Sequence, residues 1–439
     1  MSNRKRFMTR KSLTPEQETI RGLSERIVDA QKPIRILDAN KWDPQIKKLF
    51  FKHKAKQLPA VKPSYYQNNP LTFDPNTKRS EFYEIEHDIK RLLGRYNDIG
   101  QIMLRMCREY RTVIRLIEQR GTPEFGRISQ ELYGTTDEVL YAGAPTLREL
   151  TNTLHIALTQ QEQAIEKEQE TKTISAASAV KKLQKRLGSY FQGSKTEVHV
   201  QISDGIIADA AAGADTLKLR GNAKFSERDL KSLEVHEGWV HIATTLNGKA
   251  QPVCTYLSKG PPSSTITQEG LAIIMELFTF SSTPSRVFRL TNRVKAIDLA
   301  TSGANFLDVY QFFLEQNTEP EQAYTDASRV FRGSTPDGLP FTKDLAYIKG
   351  FIAIYNYIRL AIRFGAQKQI PLLFLGKTSL EDLHVYSQLL DDGTIIAPPF
   401  IPPQFADLTA LTAWMIYSLF LNEISLERLS IDYRKYLQI

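Results

Sequence analysis

The octapeptide Glu234-Val235-His236-Glu237-Gly238-Trp239-Val240-His241 sets two histidines five residues apart, with a glutamate directly after the first. This H-E-x-x-x-H pattern is one residue longer than the H-E-x-x-H helix that holds zinc through two histidines. On a regular helix, histidines four apart lie about 40° apart around the axis, whereas histidines five apart lie about 140° apart, too wide to close on one ion. The spacing makes a metal site only if the helix carries an extra residue locally, as a π-type bulge or an early unwinding. Gly238 is the flexible residue between the two, so the distortion is expected there. His236 extends the row Leu230 and Leu233, and Val240 continues it, which points the first histidine at the interior.

A catalytic zinc site takes three protein ligands and keeps a position open for water. The third candidate lies 28 residues past His241, in Thr265-Ile266-Thr267-Gln268-Glu269-Gly270-Leu271-Ala272. Thr265 and Gln268 fit a capping box, which predicts Glu269 in the first turn of a helix. A first-turn glutamate is commonly a solvated acid favoured by the helix dipole. Here it also completes, with His236 and His241, the His₂Glu set used by catalytic zinc. Glu276 follows two turns later on the same face. It is either an acceptor that orients a ligand histidine or the third ligand itself.

Composition bounds what surrounds this segment. The 439 residues are 41% hydrophobic and 24% charged, which excludes wholesale disorder and low-complexity classes. Two cysteines, Cys107 and Cys254, cannot build a disulfide scaffold or a cysteine-only zinc site, so a reducing cytoplasm is expected. The net charge of +8 is uneven: residues 1–60 hold 15 Lys/Arg against 6 Asp/Glu, and the remainder is nearly neutral. The start, residues 1–14, reads as a basic arm with no apolar run of a secretory signal. The longest uncharged apolar stretch, Leu408–Leu421, is shorter than the about 20 residues of a bilayer span, so no transmembrane segment is expected. An acidic partner for the arm is plausible chemistry, whereas no nucleic-acid motif accompanies it and no nucleic acid is expected.

Periodicity predicts a helical N-terminal part over residues 15–190 and a catalytic part over 191–439, read together as one continuous unit. Pro15–Gln31 has Thr14 as N-cap, and Ser80–Leu93, Ile99–Gln119 and Thr122–Tyr133 follow at helical spacing. Leu147–Tyr190 is a long polar helical stretch whose middle, Gln160–Lys172, is solvent-exposed or split by a turn. Thr196–Ile202 alternates as a strand, Thr216–Leu219 is a second strand, and Pro371–Leu375 reads as a short buried one. Between and after them come helices at Ser226–Leu246, Gln268–Phe280, Pro284–Ala300, Phe306–Glu315, Glu319–Phe331, Thr342–Phe364, Leu380–Leu390, Leu408–Leu421 and Ser425–Tyr436. The expected fold class is α+β, predominantly helical, with a small β-sheet beside the histidine helix.

The string Thr267-Gln268-Glu269-Gly270-Leu271-Ala272 resembles the signature of the QEGLA-motif proteins, first labelled flavohaemoglobin expression modulators. Those proteins share a domain with the microtubule-associated tyrosine carboxypeptidases. Arg120-Gly121-Thr122, Leu132-Tyr133-Gly134, Arg329-Val330-Phe331-Arg332-Gly333 and Phe341-Thr342-Lys343-Asp344 with Tyr347 and Gly350 resemble further family motifs. Ser334 stands where the family pattern has a second glycine. The resemblance covers residues 15 to 430 or so and implies a gluzincin-like zinc peptidase domain. By it, His236, His241 and Glu269 match the zinc ligands and Glu237 matches the catalytic glutamate. The animal members carry long additional N-terminal regions, so this chain looks more like a bacterial member.

The implied activity is a zinc metallocarboxypeptidase that removes a C-terminal residue, possibly tyrosine or another aromatic one, from a peptide or protein. Zinc lowers the pKa of its water towards about 7, and Glu237 takes the proton and later passes it to the leaving amine. From the motif match, Arg332 and Lys343 are the candidate anchors of the substrate carboxylate and Tyr347 the oxyanion donor. The alternative is a non-enzymatic regulatory protein with a structural zinc and a working basic arm. A structural site is usually closed by a fourth protein ligand, for which Cys254 is the only thiol in the region.

Overall fold

The fold is a computed structural model that describes residues 13–165, 171–206 and 208–437. Residues 1–12 of the expected basic arm, and residues 166–170 of the long polar stretch, lie outside the described residues. The chain is α+β and mostly helical. Thr14 opens the first helix, Pro15–Gln31, with the reciprocal bonds of a capping box to Gln17. Its face of Ile20, Leu23, Ile27 and Ala30 is buried against the helices Pro75–Leu93 and Asp98–Glu118. Phe82 stacks on Tyr110 at 5.4 Å where those two meet.

Two small sheets follow. β1 (Ile174–Ser175) pairs antiparallel with β5 (Lys224–Phe225). β2 (His199–Ile202), β3 (Ala210–Ala212) and β4 (Thr216–Leu219) form a second sheet in the order β2-β4-β3, parallel then antiparallel. β3 is therefore an edge strand, and it lies against the helix of the two histidines.

That helix is continuous from Glu227 to Ala250 in three pieces: an α-helical turn pair to Leu233, a π-helix over Glu234–Ile242, and α-helix again to Ala250. Gly238 is not the point of flexibility expected of it. The distortion spreads over nine residues, and a Cβ on Gly238 would meet Leu187 Cδ2 at 2.3 Å, so its smallness serves packing.

The next helix spans Pro262–Phe278, with Pro262 at its first position, six residues earlier than the sequence suggested. The expected Thr265–Gln268 capping box does not form, and Glu269 sits mid-helix. This helix divides the interior. Leu271, Ala272, Ile274 and Met275 join the large core, which includes residues from Ile20 to Met415, while Ile273 joins a second core built on the helices from Pro284 to Phe331. It crosses the helix Ala346–Arg363 at Gly270 and Gly350, where backbone meets backbone.

Pro371–Leu375 is not a strand but lies in a 3₁₀ segment, Gln367–Phe374, and at its end. Its apolar run is buried on all sides, a pattern that both strand and helix satisfy. The stretch Thr342–Arg363 is long and apolar enough to cross a membrane by length and composition, although Lys349 and Arg359 interrupt it. Its first turn is 3₁₀, and the rest packs along the Glu269 helix.

Candidate metal centre and cleft

A π-helix bonds each N–H to the carbonyl five residues back, so residues five apart stack on one face. That is what the H-E-x-x-x-H spacing needed. The rings of His236 and His241 stand 4.9 Å apart, edge to face. Their Nε2 atoms lie 3.6 and 3.7 Å from the same oxygen, Glu269 Oε2. The ligand atoms of His236, His241 and Glu269 all fall within 4.8 Å of one another. Cys254, the thiol that would close a structural site, is not in this group; it is buried, and burial pushes its pKa up to about 12.

Each imidazole is held from behind. His236 Nδ1 is 2.6 Å from Glu276 Oε1, and Glu276 in turn accepts Nε and Nη2 of Arg286, both at 3.2 Å. Glu276 therefore stands on the Nδ1 side of His236, outside the group formed by His236, His241 and Glu269. His241 Nδ1 is 3.4 Å from Gln268 Oε1, which also accepts from Thr244 Oγ1 and Lys377 Nζ at 2.8 Å each. Lys377 additionally donates to the His241 carbonyl at 2.9 Å. Acceptors stand at both Nδ1 atoms, so each ring, when neutral, keeps its proton there and turns its Nε2 lone pair to the Glu269 side.

The electrostatics call for a cation. Glu269 Oε2 is buried with no hydrogen-bond partner, while Oε1 has Lys343 Nζ at 3.5 Å. Burial alone would depress the His236 imidazole, but Glu269 and Glu276 outweigh it and hold it well above its ordinary value, so a metal bound there would displace the Nε2 proton. Burial likewise works against the Glu276 carboxylate, yet Arg286 and His236 bring it down to about 2. An orphaned carboxylate oxygen facing two imidazole lone pairs is a donor set that fits a divalent metal, with two nitrogens and one oxygen as catalytic zinc takes them.

Replacing Glu276 by Gln keeps the shape but loses the charge that Arg286 and the His236 proton require. Zinc affinity is expected to fall by about 10- to 100-fold, read by competition against a chromophoric chelator. An unchanged affinity would show that the Glu276 contact does not hold His236.

Glu237 points elsewhere. Its Oε2 accepts the Ala212 N–H at 3.0 Å, so β3 holds the carboxylate at the mouth of the site. A cleft of about 240 Å³ opens there. His236, Glu237 and Tyr347 line it, with Arg286, Arg289, Arg293 and Arg329 also in its lining. Another cavity, of about 700 Å³, lies by Trp42 and Tyr65 away from this chemistry. Of the expected substrate residues, Tyr347 reaches the cleft, beneath Arg293 at 5.2 Å. Lys343 instead faces Glu269. Arg332 is buried over the Phe341 ring, 3.9 Å from Asp344, and lines an adjoining apolar cavity of about 300 Å³ with Trp42, Pro44 and Tyr324.

Sequence reasoning left Gln268 with only a capping role and its place in the Thr267–Ala272 motif, and Lys377 with none; both stand behind His241. It also missed the basic row Arg286, Arg289 and Arg293, whose i, i+3, i+7 spacing on one helix face was readable.

This mostly helical α+β protein gathers two histidines and a glutamate beside an arginine-rich cleft, which His236 lines. The chain belongs to the microtubule-associated tyrosine carboxypeptidase family, whose model matches residues 48–423. The resemblance read from the sequence motifs therefore holds for the carboxypeptidases. No curated protein matches the sequence.

Proposed function

We propose that the chain is a zinc-dependent carboxypeptidase with a gluzincin-like catalytic unit, acting on the C-terminal residue of a peptide or protein. The observation that carries this reading is the orphaned Glu269 Oε2 between the two Nε2 atoms, with Glu237 beside it but turned to the cleft. His236, His241 and Glu269 would hold the zinc, which when bound supplies a Lewis acid for the scissile carbonyl and for water.

The chain's own groups do the rest. Glu237, fixed by the Ala212 N–H, takes a proton at its carboxylate and returns it to the leaving amine. Tyr347 offers its hydroxyl to the developing oxyanion. The Arg289 and Arg293 guanidinia in the cleft lining suit the terminal carboxylate. Lys343, set against Glu269, and Arg332, buried beside Asp344, place positive charge behind them. β3 bonds to β4 through Asp209 and Gly213, so Ala210 turns its N–H and C=O to the free edge and can pair with the substrate main chain. The adjoining apolar cavity has the size and lining for an aromatic side chain. A cytoplasmic setting accords with the two buried free cysteines.

Zinc-loaded protein is expected to contain about one zinc per chain, and zinc at a hundredfold excess over Kd should stabilise it by about 2.7 kcal/mol. Mass spectrometry of a peptide library with varied C-termini, incubated with zinc-loaded and with metal-stripped protein, tests the activity. Shortening by one C-terminal residue in the loaded sample alone is the expected result. Failure to take up zinc, or equal cleavage in both samples, would end this reading.

A further inference from the structure

The free edge of β3 has two pairing places, and one of them is taken. In the β3–β4 ladder, Asp209 O accepts the Arg220 N–H at 2.9 Å and the Gly213 N–H reaches Thr216 O at 2.7 Å, with Ala211 opposite Lys218. Asp209, Ala211 and Gly213 therefore face β4, and the N–H and C=O groups of Ala210 and Ala212 face away from it. A strand added to this edge would bond at both alanines. At Ala212 the N–H already goes to Glu237 Oε2 at 3.0 Å, so the carboxylate stands where an added strand would put a carbonyl. Ala210 lines the cleft together with His236 and Glu237. The three alanines of β3 are only half-buried, so ladder bonds to β4 rather than side-chain packing hold the strand.

We propose that β3 couples substrate binding to the base: main-chain pairing at Ala210 fixes the strand, and the Ala212 N–H then fixes Glu237 Oε2 while Oε1 takes the proton. This rests on the carboxypeptidase reading and adds to it which substrates turn over fast. Ala210 and Ala212 are two residues apart, about 7 Å along an extended chain. A carboxypeptidase leaves a single residue downstream of the bond it cuts. The substrate residue paired with Ala210 therefore lies about two residues upstream of the attacked carbonyl. Binding energy gained there, away from the reacting atoms, appears in kcat because it positions the base. Ala212 is thus a positioning residue, acting on the reaction through Glu237.

Steady-state hydrolysis of N-acetylated peptides of two to six residues, with a common C-terminal tyrosine, tests it. In the wild type kcat is expected to rise about tenfold from two residues to four and to stay level beyond, while KM falls over the same steps. Ala212→Pro removes an N–H that the ladder with β4 does not use, a change that an edge strand tolerates. In this variant kcat is expected to be low at every length and to lose its rise, whereas KM should still fall. General damage to the sheet would not give that split. Should proline disturb the fold, the wild type still decides: four-residue peptides methylated in turn at each main-chain nitrogen upstream of the cut should lose the gain in kcat at one position. A falling KM with a flat kcat in the wild type, a rise in kcat retained by Ala212→Pro, or methylated peptides all cleaved like their parent would each overturn the coupling. Absence of cleavage at every length would instead end the carboxypeptidase reading beneath it.

Discussion

Glu237→Gln is expected to lower kcat/KM by about a thousandfold while leaving zinc content and fold unchanged. Glu237 is the one carboxylate of the site that is not turned to the histidines; it is turned to the Ala212 N–H. A glutamine preserves that hydrogen bond through its carbonyl oxygen and preserves the volume, so β3 and the π-helix keep their places. What it removes is a base able to take a proton and an acid able to return one. The measurement is steady-state hydrolysis of a short peptide beside metal analysis of the same preparation. Retained activity would assign the proton transfer to another group. Lost zinc would show that Glu237 belongs to the ligand set. The same substitution at Glu269 should behave differently: it replaces the oxygen facing both Nε2 atoms by a weaker donor, so zinc is lost first and activity with it.

Why the triad was legible in sequence is a matter of spacing. Histidines five residues apart cannot close on one ion across a regular helix, and of the two remedies, a π-type distortion or an early unwinding, the fold contains the first at Glu234–Ile242. Helix positions were legible too where caps and prolines mark them, as at Thr14 and at Phe306–Glu315, opened by the Asn305 cap. The groups behind the ligands were not. Glu276 could be narrowed to two roles because its position on the helix is periodic. Lys377 lies 136 residues from His241 and reaches it only because the chain after the 3₁₀ segment returns to the site. Long-range contacts of this kind leave no local pattern. Pro371–Leu375 failed for another reason: a fully buried apolar run carries no periodicity to choose between strand and helix.

Gly270 directly follows Glu269 in the helix Pro262–Phe278. A Cβ on Gly270 would meet the Gly350 carbonyl carbon and oxygen at 2.2 Å, and a Cβ on Gly350 would meet the Ile266 carbonyl oxygen at 2.1 Å. The obstacle in both cases is backbone, which has no rotamer to escape into. Gly270→Ala therefore has to push the Pro262–Phe278 helix away from Ala346–Arg363, and Gln268, Glu269 and Glu276 ride on the helix that moves. The expected cost is about 3 kcal/mol, at the upper end for overpacking, with zinc affinity falling together with stability. Gly22→Ala is the control. Gly22 lies in the exposed side of the first helix with nothing within 4 Å of the added methyl, so the same change there should stabilise by about 0.5–1 kcal/mol through helix propensity. Denaturant midpoints and zinc titrations of the two variants decide the matter. Should Gly270→Ala match Gly22→Ala in both, the close crossing would not be what sets Glu269 against the histidines.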